Sequence, residues 1–348
     1  MDGSHFHIDS TTRLCAVVVS HQRLDKLKIT LGRLLETPAH VLQRVVVVDN
    51  ASDPAIGAWL RRQADPRLHV ELLTRNIGGA GGFEWGMRVA MRRYAPDWIV
   101  VMDDDGRPDP GALERFAELD LRDWDGFAAA VRTPDGALAD MNRPTFDPFR
   151  HPGRLLRSAL GGGRAGYHIG SHDLAIEGTR PVDGASFVGF FVRGTVLAMH
   201  GGPNPDLFLY ADDAFYTLGL TRAGYRIGFN PAVGFEHDTE TYSPGDPRFR
   251  PLWRVYYYYR NLTALHRFVA GALFPAVLVV HLPIWLAKAR HYRGSRGVYL
   301  RLLTLALRDG LAGHTGRPHG EILALAEREN RPSARQKIAR VAPQQHEA

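Results

Sequence analysis

Three runs of β-branched and other apolar residues, at positions 15–20, 44–50 and 98–102, each lead directly into polar side chains. Runs this short, with no polar alternation, are strands of a parallel sheet covered on both faces. Between the first two, Leu24, Leu27, Leu31, Leu34 and Leu35 recur at helical spacing, which makes the unit βαβ. The same pattern predicts a helix near residues 56–62, a strand over 68–73 and a helix over 83–94. Ligands of such sheets bind at the carboxyl ends of the strands, so the polar strand ends are the candidate site.

The third run stops in Asp103, Asp104 and Asp105, before Gly106-Arg107-Pro108. Adjacent carboxylates repel one another unless a metal ion or a cationic side chain sits among them. Hard oxygen ligands at a strand end suit a divalent ion carrying a diphosphate, with an acidic surface turn as the competing explanation. A second pair, Asp212-Asp213, follows the apolar stretch 207–211 at a predicted helix N-terminus, where negative charge is favoured and one Asp would serve as cap. His237 follows a short predicted strand over 225–230. One imidazole added to two carboxylates makes a shell suited to Mn²⁺ or Mg²⁺.

Positions 78–82 hold four glycines between a predicted strand and helix, after Arg75-Asn76-Ile77. Glycine allows close backbone approach to a ligand, and the helix that follows offers free N–H groups to an anion. The segment is neither a phosphate loop ending in Gly-Lys-Ser/Thr nor a dinucleotide fingerprint, which would follow the first strand.

Val19-Ser20, Val48-Asp49-Asn50-Ala51-Ser52, the Asn76 to Gly82 segment, Met102 to Asp105, Asp212-Asp213-Ala214 and His237 occur in one order. Over residues 13–261 the chain thereby resembles inverting family 2 glycosyltransferases of the GT-A fold, and within them the galactofuranosyltransferases and rhamnosyltransferases of the cell-wall galactan type. The resemblance implies an α/β nucleotide-diphospho-sugar transferase domain over 13–250, split into a nucleotide-binding half (13–105) and an acceptor half (106–250). It gives Asp49 to the nucleotide base with Ser20 and Arg23 nearby, and Asn76, Gly78 and Gly79 to the nucleotide and diphosphate. The metal falls to Asp103, Asp105 and His237, with Asp104 facing the ribose or sugar. Asp213 becomes the general base and Asp212 helps hold donor or acceptor, the register between the two being open. The implied donor is UDP-galactofuranose, or else dTDP-rhamnose, and the implied acceptor is a polyprenyl-diphosphate-linked glycan. Where relatives often carry a tryptophan-rich acceptor wall, this chain has Phe187, Phe190 and Phe191, which offer ring faces but no indole N–H. Residues 132–180, rich in Arg, His, Pro and Gly without periodicity, are either a mobile loop over the acceptor or its phosphates or a disordered insertion.

From about residue 251 the character changes. Residues 268–287 carry no formal charge but are broken by Pro275, His281 and Pro283 and flanked by Arg267 and Lys288. The stretch suits an interfacial helical hairpin on a membrane, with a buried helix, a homo-oligomer contact or a true span as alternatives. The extension 251–348 is therefore helical, with a charged tail frayed from about residue 321. The lone Cys15 allows no internal disulfide, and residues 1–12 show no secretory signal, so the expected location is cytoplasmic, peripheral at the inner face of the membrane. The net charge of +6 accompanies scattered arginines without a nucleic-acid motif; diphosphates and anionic headgroups fit it better than nucleic acid. A sugar nucleotidyltransferase would carry a Gly-, Arg- and Lys-bearing loop where Ser20-His21-Gln22-Arg23 stands, and a non-catalytic sugar-nucleotide binder would need no Asp213.

Overall fold

In the computed structural model the strand-and-helix alternation seen in the sequence forms half of a sheet. The structure describes residues 12–239 and 248–327, so the polar N-terminus and the tail beyond residue 327 lie outside it. Strands β1 (Leu14–Ser20), β2 (Leu42–Asp49), β3 (Leu68–Leu72) and β4 (Trp98–Asp103) run parallel in the order β3-β2-β1-β4, linked by α1 (Leu24–Glu36), α2 (Pro54–Arg61) and α3 (Gly78–Tyr94). Alternate strand residues go to opposite faces. Ala16, Val18, Val45 and Val47 meet Leu27, Leu31 and Leu34 of α1, while Val17, Val19, Val46 and Val48 meet Phe83, Met87 and Ala90 of α3.

Helix α3 begins five residues earlier than its apolar spacing predicts, because its glycines are packing residues. A Cβ at Gly82 would lie 2.6 Å from Val19 Cγ1, and one at Gly86 2.4 Å from Val17 Cγ1. The close approach to β1 outweighs the poor helix propensity of glycine, which costs about 1 kcal/mol per residue.

The sheet continues past β4 through β5 (Gly106–Pro108), α4 (Ala112–Ala117), β6 (Gly126–Arg132), α5 (Pro152–Arg157), β7 (Arg180–Val182), β8 (Phe190–Arg193), α6 (Gly194–His200), α7 (Asp212–Arg222) and β9 (Ile227–His237), in the order β4-β8-β6-β9-β5. β8 is antiparallel to both β4 and β6, so the sheet is mixed. β9 starts near the predicted strand but runs on to His237. Pro231, which ended the pattern in the sequence, sits where the β6–β9 register shifts between Ala128 and Ala130, since proline cannot donate to a ladder.

Two expectations are corrected here. Phe190 and Phe191 are fully buried on opposite faces of β8, Phe191 stacked on Phe116 with ring centroids 3.8 Å apart, and Phe187 is buried against Phe83. As core aromatics they offer an acceptor no free ring face. Residues 132–180 are folded, held by side-chain bonds instead of long elements: Arg222 of α7 binds Asp147 at 2.5 and 2.9 Å, Arg150 donates to the Thr221 carbonyl at 2.9 Å, and Arg143 to that of Ile169 at 2.6 Å. Irregular backbone satisfied by side chains leaves no hydrophobic period to read.

The chain separates into two compact units, residues 1–242 and 243–348. The second contains α8 (Arg254–Ala270), α9 (Phe274–Ala287), α10 (Arg296–Ala312) and α11 (His319–Glu327), so the tail is helical to Glu327. α8 and α10 pack through a polar core in which Tyr256 donates to Asp309 at 2.7 Å, Arg317 grips Asp309 at 2.7 and 3.1 Å, and the Tyr299 hydroxyl donates to the Trp285 carbonyl at 2.7 Å. α9 buries only Trp285, and leaves Val279 and Val280 73% and 62% exposed. The helical run Arg254–His291 is long and apolar enough to cross a membrane by length and composition. α9 itself is 14 residues, or roughly 21 Å at 1.5 Å per residue, short of a hydrocarbon core about 30 Å thick.

Candidate active site

The antiparallel β5–β9 pair decides the geometry. It sets Gly106 opposite His237, so the turn that ends β4 lies beside the end of β9, and the Asp238 amide donates to the Asp105 carbonyl at 2.9 Å. The ligand atoms of Asp103, Asp105 and His237 consequently lie within 4.8 Å of one another, with His237 Nε2 3.3 Å from Asp105 Oδ1. His237 Nδ1 faces Asn142 Oδ1 at 2.7 Å, and Asn142 Nδ2 donates to Ser186 Oγ at 3.0 Å. With its Nδ1–H given to the amide oxygen, His237 would present the lone pair of Nε2 to a cation held between it and the carboxylates. This is how metal-binding imidazoles are oriented. Asp105 Oδ1 is buried and makes no hydrogen bond of good geometry, its close neighbour being His237 Nε2 at 3.3 Å, an arrangement that a shared cation would complete.

Asp104, which the resemblance turns toward the ribose or sugar, is held by its neighbours in this structure. It is fully buried, accepts from Ser20 Oγ at 2.9 Å and the His21 amide at 3.3 Å, and pairs with Arg23 at 2.8 Å. Burial pushes its carboxyl up to about 6 against the pull of Arg23. Arg23 also pairs with Asp105, so it supplies the cationic group that three adjacent carboxylates require. Burial and then the Asp105 charge raise Asp103; burial would raise Asp105 too, but His237 and Arg23 hold it below its ordinary value.

At the neighbouring strand ends, buried Asp49 accepts from the Ser52 amide at 3.1 Å, and Asn50 binds both Gly78 O and the Ile77 amide at 2.9 Å. His21 links Asn50 O at 2.9 Å to exposed Asn76 at 3.3 Å. Gln22 and Ala51 hold positive φ without being glycine, as backbone strain at a functional strand end often does.

The glycine segment serves a different purpose from the one expected for Gly78. Its φ is +78°, and a Cβ there would lie 2.0 Å from the carbonyl oxygen of Phe208, which accepts from the Ala80 amide at 3.2 Å. Gly78 therefore seats the loop that leads to Asp212-Asp213, while Gly79 is partly exposed at the helix start, near exposed Asn76. In that loop Phe208, Tyr210 and Ala211 all have positive φ. Gly78→Ala should cost about 1–3 kcal/mol through strain and displace this loop, lowering both Tm and turnover while nucleotide affinity changes less. Equal turnover in the variant would show that the loop position is immaterial.

Asp212 and Asp213 open α7. Asp213 accepts from the Ala214 amide at 2.7 Å, and burial raises its carboxyl although the Ala214 and Phe187 amides oppose the rise. Asp212 is raised by burial and then by the Asp213 charge. The contacts run without a gap from His237 through Asn142 to Ser186, and the next residue, Phe187, points its amide at Asp213. The β4–β9 carboxylate-imidazole cluster and the α7 acidic pair are thus tied to one three-residue segment, of which Val188 packs against Gly106.

Asn142 was invisible in the sequence, a single amide in an aperiodic segment. Asn142→Ala should weaken Mn²⁺ binding about 10- to 100-fold by freeing the imidazole. Unchanged Mn²⁺ affinity, measured by electron paramagnetic resonance, would show that His237 needs no such support.

A mixed α/β sheet with a carboxylate-imidazole cluster at its strand ends, tied through residues 186–188 to a helix that opens on two acids, Asp212 buried and Asp213 partly so, defines a class of group-transfer enzyme. The model of the family described as "Glycosyl transferase family 2" matches residues 15–171. The chain is 41% identical over 246 residues to galactofuranosyltransferase GlfT1 of Mycolicibacterium smegmatis, covering 70% of this chain and 74% of that one. It is 34% identical over 139 residues to the undecaprenyl-phosphate mannosyltransferase of Micrococcus luteus, covering 38% and 53%. In fold it is similar to GalNAc-T7, solved with UDP, GalNAc and Mn²⁺: TM-score 0.52, 12% identity, 96% of this chain and 59% of that one. The chain belongs to glycosyl transferase family 2, and it is a glycosyltransferase of the GT-A fold.

Proposed function

We propose that the protein transfers galactofuranose from UDP-galactofuranose, with inversion, to a hydroxyl of a polyprenyl-diphosphate-linked glycan at the cytoplasmic face of a membrane. The observation that carries this reading is the convergence of Asp103, Asp105 and His237 with Asp213 on the segment 186–188. The likeness to a galactofuranosyltransferase supports the donor, the likeness to an undecaprenyl-phosphate mannosyltransferase supports a polyprenyl carrier, and the exposed apolar helix α9 supports a membrane surface.

Asp103, Asp105 and His237 suit a divalent ion in their donor set, two hard carboxylates and one imidazole, and in the buried Asp105 Oδ1, which makes no hydrogen bond of good geometry. When bound, Mn²⁺ or Mg²⁺ would neutralise charge developing on the leaving diphosphate. The chain does the rest. Asp49, His21, Asn76 and Gly79 lie at the strand ends that receive the nucleotide, with Arg23 beside them to share negative charge. Asp213 takes the proton from the acceptor hydroxyl as that oxygen attacks the anomeric carbon opposite the leaving group. Its partial burial raises its proton affinity toward that of a useful base.

Incubating the protein with Mn²⁺ and a panel of nucleotide sugars that includes UDP-galactofuranose and dTDP-rhamnose tests the donor. Slow release of UDP from UDP-galactofuranose above all others is expected. Release from no donor, with wild type and Asp213→Ala behaving alike, would overturn the reading.

A further inference from the structure

We propose that the catalytic unit carries a membrane-docking surface of its own, formed by Arg150, Arg154 and Arg157 together with Leu156 and Leu160, which rests on anionic lipid headgroups. Between Asp147 and Asp173 the chain holds four arginines, Arg150, Arg154, Arg157 and Arg164, and no acidic residue. Asp147 is paired with Arg222 and Asp173 with Arg180, and Asp183 faces His151 at 2.7 Å, so no nearby carboxylate contacts these arginines directly. None of the four arginines forms an ion pair among the described residues. Arg150, Arg154 and Arg157 line one open concavity of about 430 Å³ with His151, Pro152 and Gly153. The Arg154 guanidinium lies 3.4 Å over the Phe146 ring, and its proton affinity is lowered by burial and then by the positive charge of Arg157. Positive charge is therefore concentrated here and offset only in part, through space, by Asp173 and Asp183, an arrangement that favours an incoming anion.

The second observation is apolar. α5 buries none of its residues, and Leu156 on it and Leu160 at the kink that follows are 59% and 78% exposed. Exposed leucines beside unpaired arginines are the pattern of an element lying at a headgroup boundary, with cations on phosphates and aliphatic side chains dipping below. A soluble polyanion would meet the arginines but leave the leucines without a role. The surface is rooted in the catalytic machinery through Arg150 to Thr221 and Asp147 to Arg222, both at the end of α7, the helix that opens on Asp213. The proposal rests on the membrane-borne acceptor for its purpose, and on these residues alone for its geometry.

The test is co-sedimentation of the full chain with vesicles of phosphatidylcholine, with and without phosphatidylglycerol. Arg154→Glu/Arg157→Glu should lower partition onto the anionic vesicles roughly tenfold or more. The milder Arg154→Gln/Arg157→Gln should lower it less, and Leu156→Ser/Leu160→Ser should lower it at high salt as well. Val279→Asp/Val280→Asp in α9 should add its own loss to each. Release of UDP without vesicles should stay at the wild-type level in all the 154–160 variants, which separates failure of this proposal from failure of the catalytic reading. Unchanged partition of both arginine variants overturns it. Release of the wild-type protein from vesicles by inorganic phosphate, at an ionic strength where chloride has no effect, would assign the arginines to a free phosphate and overturn it equally.

Discussion

Asp213→Asn lowers kcat by a factor between about 10² and 10⁴, the usual worth of a positioned general base, and leaves Mn²⁺ and nucleotide binding intact. The amide keeps the size of the carboxyl group and can still accept from the Ala214 and Phe187 amides, so the loss is chemical and not structural. A pH profile sharpens the expectation. Burial raises both Asp212 and Asp213 above the ordinary aspartate range, and the two titrate as a pair. The base works only when ionised, so kcat should rise with pH on a limb displaced upward from the usual carboxylate value. Stability moves in the opposite sense. A carboxyl whose folded value lies above its unfolded one destabilises the fold while ionised, and that penalty is relieved as pH falls through the folded value toward the unfolded one. Acidification through this window should thus reduce turnover while the contribution of this pair to Tm improves. In Asp213→Asn the neutral amide removes the repulsion on Asp212, so the limb vanishes and the pH dependence of Tm is reduced. A variant that keeps the wild-type rate profile would exclude Asp213 as the base.

His237→Ala is expected to cost about 10³-fold in kcat/KM, the several kcal/mol that a metal ion contributes at a leaving group. Unlike the loss at Asp213, this one should appear before any chemistry. Mn²⁺ affinity, read from the free-ion resonance signal, should fall together with metal-dependent UDP binding by calorimetry. The cavity left at the end of β9 is small, and the β5–β9 pairing that sets Gly106 opposite this position is made by backbone, so the sheet should survive. Undiminished Mn²⁺ binding in the variant would remove His237 from the ion's shell. The contrast between the two variants, one binding metal without turning over and the other failing to bind it, separates the two acidic clusters by role.

Some of this protein was written in the local order of its residues. The runs ending in Ser20, Asp49 and Asp103, with the leucine stripe of α1 between the first two, specify parallel strands and a βαβ unit, because β-branched runs and a 3.6-residue period bury different shapes. The same runs name the candidate ligands, since carboxylates placed at strand ends need a partner whatever surrounds them. What only tertiary structure decided was the company those residues keep. Pairing of β5 with β9 brings His237 to Asp105 across more than a hundred residues, and Asn142 reaches His237 from a segment with no period at all. The phenylalanines 187, 190 and 191 went into the core because β8 was inserted between β4 and β6, and Gly78 made room for a carbonyl from a distant loop. Periodicity reports which face of an element is buried; it carries no information about which other element comes to cover that face.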